Sequence, residues 1–188
     1  MPAATQILRQ EHEAILGMLE SLEAVADKAE AGDPVSFQLL TDLQEFFSLF
    51  ADRSHHGKEE DLLFPFLEKK GVPRAGGPLG CMLTEHDEGR AFVKAMRSNA
   101  EGCANGIAAS RSAWVQAARG YANLLRNHIW KENEILFQIA ERLLSEEEQS
   151  RLAEEFAASE AAKIGPEVQA RLQQIRTKLT RDMAASAR

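Results

Sequence analysis

The sequence carries the segment His128-Ile129-Trp130-Lys131-Glu132-Asn133-Glu134-Ile135-Leu136-Phe137 and an earlier counterpart, His55-His56-Gly57-Lys58-Glu59-Glu60-Asp61-Leu62-Leu63-Phe64. The two match at a His, at a Lys three residues later, at a Glu four later, at an acid six later and at Leu-Phe eight and nine later. Residues four apart share a face of an α-helix, so each segment points an imidazole and a carboxylate in one direction. The hydrophobic residues that follow indicate that this direction is inward. Two copies 73 positions apart suggest a duplicated helix pair.

The composition is that of a soluble globular protein. A chain of 188 residues with 44% hydrophobic and 27% charged residues favours one domain with a short appendage. The net charge of −7 and the pI near 5.3 argue against nucleic acid as a partner. No apolar run approaches the roughly 20 residues that span a bilayer, so we expect no membrane partner. The N-terminal residues lack signal-peptide order and the two cysteines lack CxxC spacing, so we expect a cytoplasmic protein.

Hydrophobic periodicity predicts an all-α fold, an up-down-up-down four-helix bundle with additional C-terminal helices. The first helix is expected to begin after Thr5 as N-cap, the second near Pro34, with a bend or local break near Pro65. The first helix is predicted to end near residue 31 and the second near residue 70. Four further helices are predicted to span about 79–104, 107–144, 146–163 and 167–180. Residues 1–144 would form the bundle, and residues 145–188 would form a helical extension that packs on it or mediates contacts.

The inward faces of the four long helices carry one histidine each. These are His12, His55, His86 and His128, and Glu59 and Glu132 follow two of them by one turn. A single buried His is more often structural, but four imidazoles and two carboxylates at one level would bury about two negative charges. A cation relieves that cost, and nitrogen and oxygen ligands without thiolate suit iron, manganese or zinc. Six ligands are too many for one tetrahedral zinc and suit two ions with bridging carboxylates.

Four further residues are candidates for the outer part or rim of this site. His56 with Glu60 is the rival of His55 with Glu59, and the alignment of the two segments favours the latter pair. His56 is then expected to be partly exposed over the rim. Arg90 follows His86 by one turn, and Tyr121 lies two turns before His128. Arg90 would either bond a bound anion or pair with a ligand Glu.

The chain resembles the hemerythrin-like, or HHE cation-binding, domain family over about residues 5–144. The resemblance rests on Glu11-His12, His55-His56-Gly57-Lys58-Glu59-Glu60-Asp61-Leu62-Leu63-Phe64-Pro65, Glu85-His86-Asp87-Glu88-Gly89-Arg90 and His128-Ile129-Trp130-Lys131-Glu132. It implies two iron ions in a four-helix bundle, with an oxo, hydroxo or water bridge. The histidines at 12, 55, 86 and 128 would be terminal ligands, and Glu59 and Glu132 would bridge. Oxygen-carrying hemerythrins supply two histidines from the third helix, where this chain has Arg90 second, so one imidazole fewer is expected.

The leading interpretation is a di-iron protein that binds or senses a small oxidant (oxygen, nitric oxide or peroxide) in a stress response. Catalysis, such as peroxide decomposition or nitric oxide reduction, is an alternative of another class. Iron storage or donation for iron–sulfur repair is a third, and a metal-stabilised interaction module is a fourth. In the fourth interpretation, the basic C-terminal helices would contact a second copy of the chain, in a homodimer, or another protein. Their charged residues are Arg171, Arg176, Lys178, Arg181 and Arg188, against Glu167 and Asp182.

Overall fold

The computed structural model of the protein describes residues 2–186, with side chains through Arg181. Five helices form the fold: α1 (Ala4–Ala31), α2 (Phe37–Phe46, Phe47–His56, Glu59–Leu63 and Phe64–Lys69), α3 (Pro78–Ala104), α4 (Ala108–Lys131, Glu132–Leu136 and Phe137–Leu143) and α5 (Glu146–Ser186). No strand occurs within residues 2–186, so the predicted all-α class is confirmed.

Two predicted helix starts are wrong by a few residues. α1 begins at Ala4 without a side-chain cap, and Thr5 lies buried inside its first turn, where its N–H donates to Gln149 Oε1 at 3.3 Å. α2 begins after Ser36, not at Pro34, because the Ser36 hydroxyl accepts from the Leu39 N–H at 3.2 Å and caps the helix.

Three pairs of neighbouring helices run antiparallel. Along α1 and α4, rising residue numbers in one helix meet falling numbers in the other. The paired side chains are Arg9 with Glu141, Glu23 with Arg126, and Asp27 with Arg119. The same holds for α2 and α3, which meet at Asp52 with Arg90 and at Glu60 with His86. It also holds for α3 and α4, which meet at Glu85 with Lys131 and at Gly102 with Ser110.

A buried polar layer divides the core into two apolar clusters. One cluster contains Ile15, Ala51, Met96 and Leu125, and the other contains Leu8, Leu63, Met82 and Leu136. In every bundle helix the candidate ligand residues lie between a member of one cluster and a member of the other. The apolar packing on both sides therefore holds these polar side chains at one level.

Helix α5 packs on α1 and α2 and contributes to both clusters, through Phe156 to one and through Leu172, Ile175 and Leu179 to the other. A capping box begins α5: the Ser145 N–H donates to Glu148 Oε2 at 2.9 Å, and the Glu148 N–H donates to the Ser145 hydroxyl oxygen at 3.2 Å. The predicted interruption is also present, because Gly165 has φ 52° and Pro166 follows it. Of the basic C-terminal residues, Arg171 and Lys178 bind Asp42, and Arg188 lies outside the described residues.

No helix among the described residues is long and apolar enough to cross a membrane.

Candidate metal centre

The helices that carry most of the candidate ligands are wound more widely than an α-helix at the ligand positions. Phe47–His56, Glu59–Leu63 and Glu132–Leu136 are π-helical, a form that often marks functional sites. In α2 the buried residues accordingly recur every four positions: Leu43, Phe47, Ala51, His55, Glu59, Leu63 and Leu67. Pro65 lies two residues after the second wide stretch, in the first turn of the next α-helical segment. Leu63 and Phe64 keep helical φ and ψ, so at the place where a bend or local break was predicted the helix changes its winding without an interruption.

The side chains of this layer form two groups, and within each group all the ligand atoms lie within 4.8 Å of one another. We call His12, His55, Glu59 and Glu132 the inner group, and His56, Glu59, His86 and His128 the cavity-side group. All seven residues are at most 3% exposed. Ring nitrogens from different helices face one another: Nε2 of His86 lies 3.1 Å from Nε2 of His128.

Both carboxylates contact both groups. Glu59 lies 3.6 Å from Nε2 of His55 and 3.6 Å from Nε2 of His86. Glu132 Oε2 lies 3.0 Å from Nε2 of His12 and 3.3 Å from Nε2 of His128. Each carboxylate therefore stands between the two groups, as a bridging ligand would.

The ligand-type atoms of this layer lack the hydrogen bonds that buried polar atoms normally have. The atoms without a well-formed hydrogen bond to any described residue are both carboxylate oxygens of Glu59, both of Glu132, Nε2 of His12 and Nδ1 of His56, although some of them lie close to one another. Buried polar atoms are nearly always satisfied, and six such atoms in one layer would be costly. Metal coordination would satisfy them together. The residues present thus fit a cation site with nitrogen and oxygen ligands.

The pKa values show the same need for positive charge. Burial, together with the neighbouring Glu132, raises the pKa of Glu59 well above its usual value. Burial lowers the pKa of His128, but the carboxylates of Glu132 and Glu85 outweigh it and raise that pKa to about 9. Burial lowers the pKa of His55 to about 4, so this imidazole stays neutral, as a metal ligand must be. Without a cation Glu59 and His128 would take up protons, which a metal ion would displace on binding.

An outer layer of acceptors orients the imidazoles through their Nδ1 atoms. The pairs are His12 with Asn133 (2.9 Å), His55 with Glu11 (2.8 Å), His86 with Glu60 (2.7 Å) and His128 with Glu85 (2.9 Å). In each pair the acceptor comes from a different helix than the His. Such partners fix the tautomer and turn the other nitrogen, Nε2, toward the metal.

Cations hold three of these acceptors in place. Lys58 binds Glu11, Lys131 binds Glu85, and Arg90 Nη2 donates to Glu60 at 2.5 Å. Burial would raise the pKa of Glu85, but its hydrogen bonds from His128 and Lys131 lower it to about 2. Glu60 behaves alike: hydrogen bonds from His86 and Arg90 outweigh burial and lower its pKa to about 2. The outer carboxylates therefore stay ionised and keep their hold on the imidazoles.

The structure brings together all six residues predicted as ligands and corrects the placement of His56. His56 is 3% exposed, not at the rim, and its ring stacks on that of His86 with centroids 3.8 Å apart. The wide turn of α2 lets neighbouring residues 55 and 56 both face the core. The layer therefore holds five imidazoles, one more than the four that the sequence predicted. The fifth comes from α2, not α3.

The other candidates lie outside the two groups. Arg90 pairs with Asp52, Asp87 and Glu60 and, within the described residues, not with Glu59 or Glu132. Tyr121 is buried against Phe47 with ring centroids 4.9 Å apart.

Sequence reasoning gave no role to Glu11, Lys58, Glu85, Lys131 or Asn133. Two sequence features could have indicated a role for four of them: the Lys shared by the two related segments, and the Glu that precedes His12 and His86.

Comparison with known families decides what kind of bundle this is. The family model described as hemerythrin HHE cation binding domain matches residues 3–140. The chain belongs to the hemerythrin HHE cation-binding domain family. The match spans α1 to α4 and contains every residue of the two ligand groups. No curated protein and no solved structure gives a significant match to the chain. Cation binding is thus the family property that the buried His and Glu groups of this chain fit.

Proposed function

We propose that this hemerythrin-like chain holds two iron ions and binds or senses a small oxidant (oxygen, nitric oxide or peroxide) in an oxidative or nitrosative stress response. The observation that carries the proposal is the pair of ligand groups joined by Glu59 and Glu132. Two carboxylates between five imidazoles are a donor set that suits two ions better than one. Bound iron would supply redox chemistry and a place for the small ligand.

The chain's own residues would orient the ligands and control access. Glu11, Glu60, Glu85 and Asn133 fix the Nδ1 side of four imidazoles, so that Nε2 is left free for metal. The apolar clusters above and below exclude water from the layer. A cavity leads from the surface to His56 and His86, so a small molecule would approach the cavity-side group and not the inner one.

Elemental analysis with an optical spectrum tests the proposal, on protein purified without oxygen and then exposed to air. We expect about two irons per chain and near-ultraviolet absorption that appears in air. His128→Ala should lose stoichiometric iron, and the matched control Asn127→Ala should keep it, because Asn127 is exposed and bonds only to Asn123. Two irons retained in His128→Ala, or one tightly held zinc in the parent protein, would contradict the proposal.

Titration with peroxide or nitric oxide separates binding from catalysis. A binding or sensing protein should change its spectrum once, with about one equivalent per centre. Consumption of many equivalents would place the chain among enzymes.

A further inference from the structure

A cavity of about 550 Å³ lies between α2, α3 and α4 beside the cavity-side group. Its inner end is formed by the buried residues His56, His86 and Tyr121, and its outer end by Lys94, Arg97 and Ser98, which are exposed. It therefore runs from solvent to the metal-binding layer.

This cavity is larger than a small oxidant needs. A water molecule takes about 30 Å³ of liquid volume, and a diatomic gas is of similar size. Sites for small organic molecules measure about 300–1,000 Å³. The volume thus fits an organic molecule that fills the space between the surface and the His56 ring.

The lining is positively charged although the chain carries a net charge of −7. Arg90, Lys94 and Arg97 line the cavity, against the single acid Asp52. Arg90 is already neutralised by Asp52, Glu60 and Asp87. Lys94 and Arg97 have no side-chain partner within the described part of the chain. Two unpaired cations at the mouth of a cavity attract anions and favour a carboxylate or phosphate group.

The lining of the cavity combines apolar surface with a tyrosine hydroxyl that has no hydrogen-bond partner in the described part of the chain. Gly89 and Val93 offer apolar contact from α3, and the ring of Tyr121 offers it from α4. Tyr121 is 2% exposed, and within the described residues its hydroxyl makes no hydrogen bond. Tyr121 lines the cavity, so this hydroxyl is available to a ligand as a hydrogen-bond donor or acceptor.

We propose that this cavity binds a small organic anion, with its carboxylate or phosphate head group held by Lys94 and Arg97 and its apolar body along Val93, Gly89 and Tyr121. The proposal depends on the cavity and its cations and does not depend on which metal the ligand groups hold. It adds a second binding partner beside the oxidant, placed where the anion covers the approach to His56 and His86.

Calorimetric titration of the protein as purified tests this with three probes that share a phenyl ring: benzoate, phenyl phosphate and neutral benzyl alcohol. We expect either anion to bind at least tenfold more tightly than the alcohol, and the ratio of the two anions identifies the preferred head group. The double variant K94Q/R97Q should weaken anion binding at least tenfold. The control K69Q/R142Q removes the same charge at exposed positions away from the cavity and should bind as the parent does.

A variant that fills the cavity gives a separate test. Val93→Phe should abolish benzoate binding and leave the metal content unchanged, since Val93 lines the cavity but belongs to neither ligand group. Ligands of this size bind weakly, so the highest concentration tested is about 10 mM. The proposal fails if neither anion binds at that concentration, or if the alcohol binds as tightly as the anions. It also fails if K94Q/R97Q binds benzoate normally while the visible spectrum shifts, because the anion would then be a direct metal ligand.

Discussion

The two halves of the bundle, α1 with α2 and α3 with α4, build the same structure around the metal-binding layer. In the first half Glu11 bonds both His55 and Lys58, and in the second Glu85 bonds both His128 and Lys131. Each half also stacks a Phe on the other half's imidazole: Phe64 on His86 with centroids 6.0 Å apart, and Phe137 on His12 at 5.4 Å. The repeated segments therefore duplicate the ligands together with the groups that orient them.

The halves differ in what surrounds this shared structure. His56 of the first half corresponds to Ile129 of the second, and Glu60 corresponds to Asn133. Lys58 is 1% exposed because Glu160 of α5 covers and binds it, whereas the Lys131 side chain is 29% exposed. One side of the layer is thus closed by α5, and the other opens into the cationic cavity. Duplication supplies a symmetric set of candidate ligands, and substitutions around it make the two ligand groups unequal.

Loss of a shared ligand should have the largest effect. Glu59→Gln removes a carboxylate that contacts both halves. We expect this variant to retain fewer than one ion per chain, where the parent holds about two. The loss of metal affinity should exceed the roughly 10–100-fold that follows mutation of a residue in the outer layer. The variant should unfold at higher temperature than the parent when both are metal-free, because burial of Glu59 requires the protonation of a carboxyl group that is ionised in the unfolded chain, whereas Gln needs no proton.

Elemental analysis after dialysis and thermal unfolding measure the two effects. The exposed Asp61→Asn is the matched control. Two ions retained in Glu59→Gln would show that the halves bind metal independently.

The two lysines should differ in their contribution to stability. Lys58→Met breaks a buried cluster with Glu11 and Glu160 and should lower the free energy of unfolding by about 3 kcal/mol. Lys131→Met removes a half-exposed pair and should cost at most about 1 kcal/mol. Urea unfolding of both variants measures the difference. Equal losses would mean that α5 does not strengthen the first half.

The His56→Ile variant makes the first half a copy of the second at this position. The cavity-side group would lose one imidazole and the inner group none, so one ion should be released at least about tenfold faster to a chelator. His55→Ile should act on the inner group instead. Simultaneous loss of both ions in each variant would contradict the assignment of the two histidines to separate groups.

The docking of α5 should give a smaller effect than the loss of Lys58, and one that depends on pH. Asp42 is 2% exposed and accepts hydrogen bonds from Gln38 (2.8 Å), Arg171 (2.7 Å) and Lys178 (3.0 Å). Burial alone would raise its pKa, but these partners lower it below the usual 3.8. The stabilisation is therefore complete above pH 3.8 and is lost as the pH falls through the lower, folded-state pKa.

Asp42→Asn should cost about 1–2 kcal/mol near neutral pH, and the difference from the parent should shrink toward about pH 3. Urea unfolding at both pH values checks this. A difference that grows on acidification would assign the effect to packing.

The sequence predicted the parts of the molecule that follow from one helix at a time. Hydrophobic periodicity located the helices, and the inward stripe located His12, His55, His86 and His128. It failed at His56, because the stripe was projected on an α-helix and the actual winding is wider. The outer layer depends on the register between helices: Glu11 adjoins His12 in sequence yet orients His55 on another helix. No single-helix pattern contains that information.

The wide turns have a consequence for how related chains are to be aligned. Each π turn accommodates one more residue than an α turn, so a helix can absorb a one-residue insertion there without a loop. In α2 such turns contain His55, His56 and Glu59, and in α4 one contains Glu132. A relative with purely α-helical winding would need a single-residue gap inside the helix at these places. An ungapped alignment would then pair one chain's ligand with its relative's non-ligand neighbour, as it does for His56 and Ile129 within this chain.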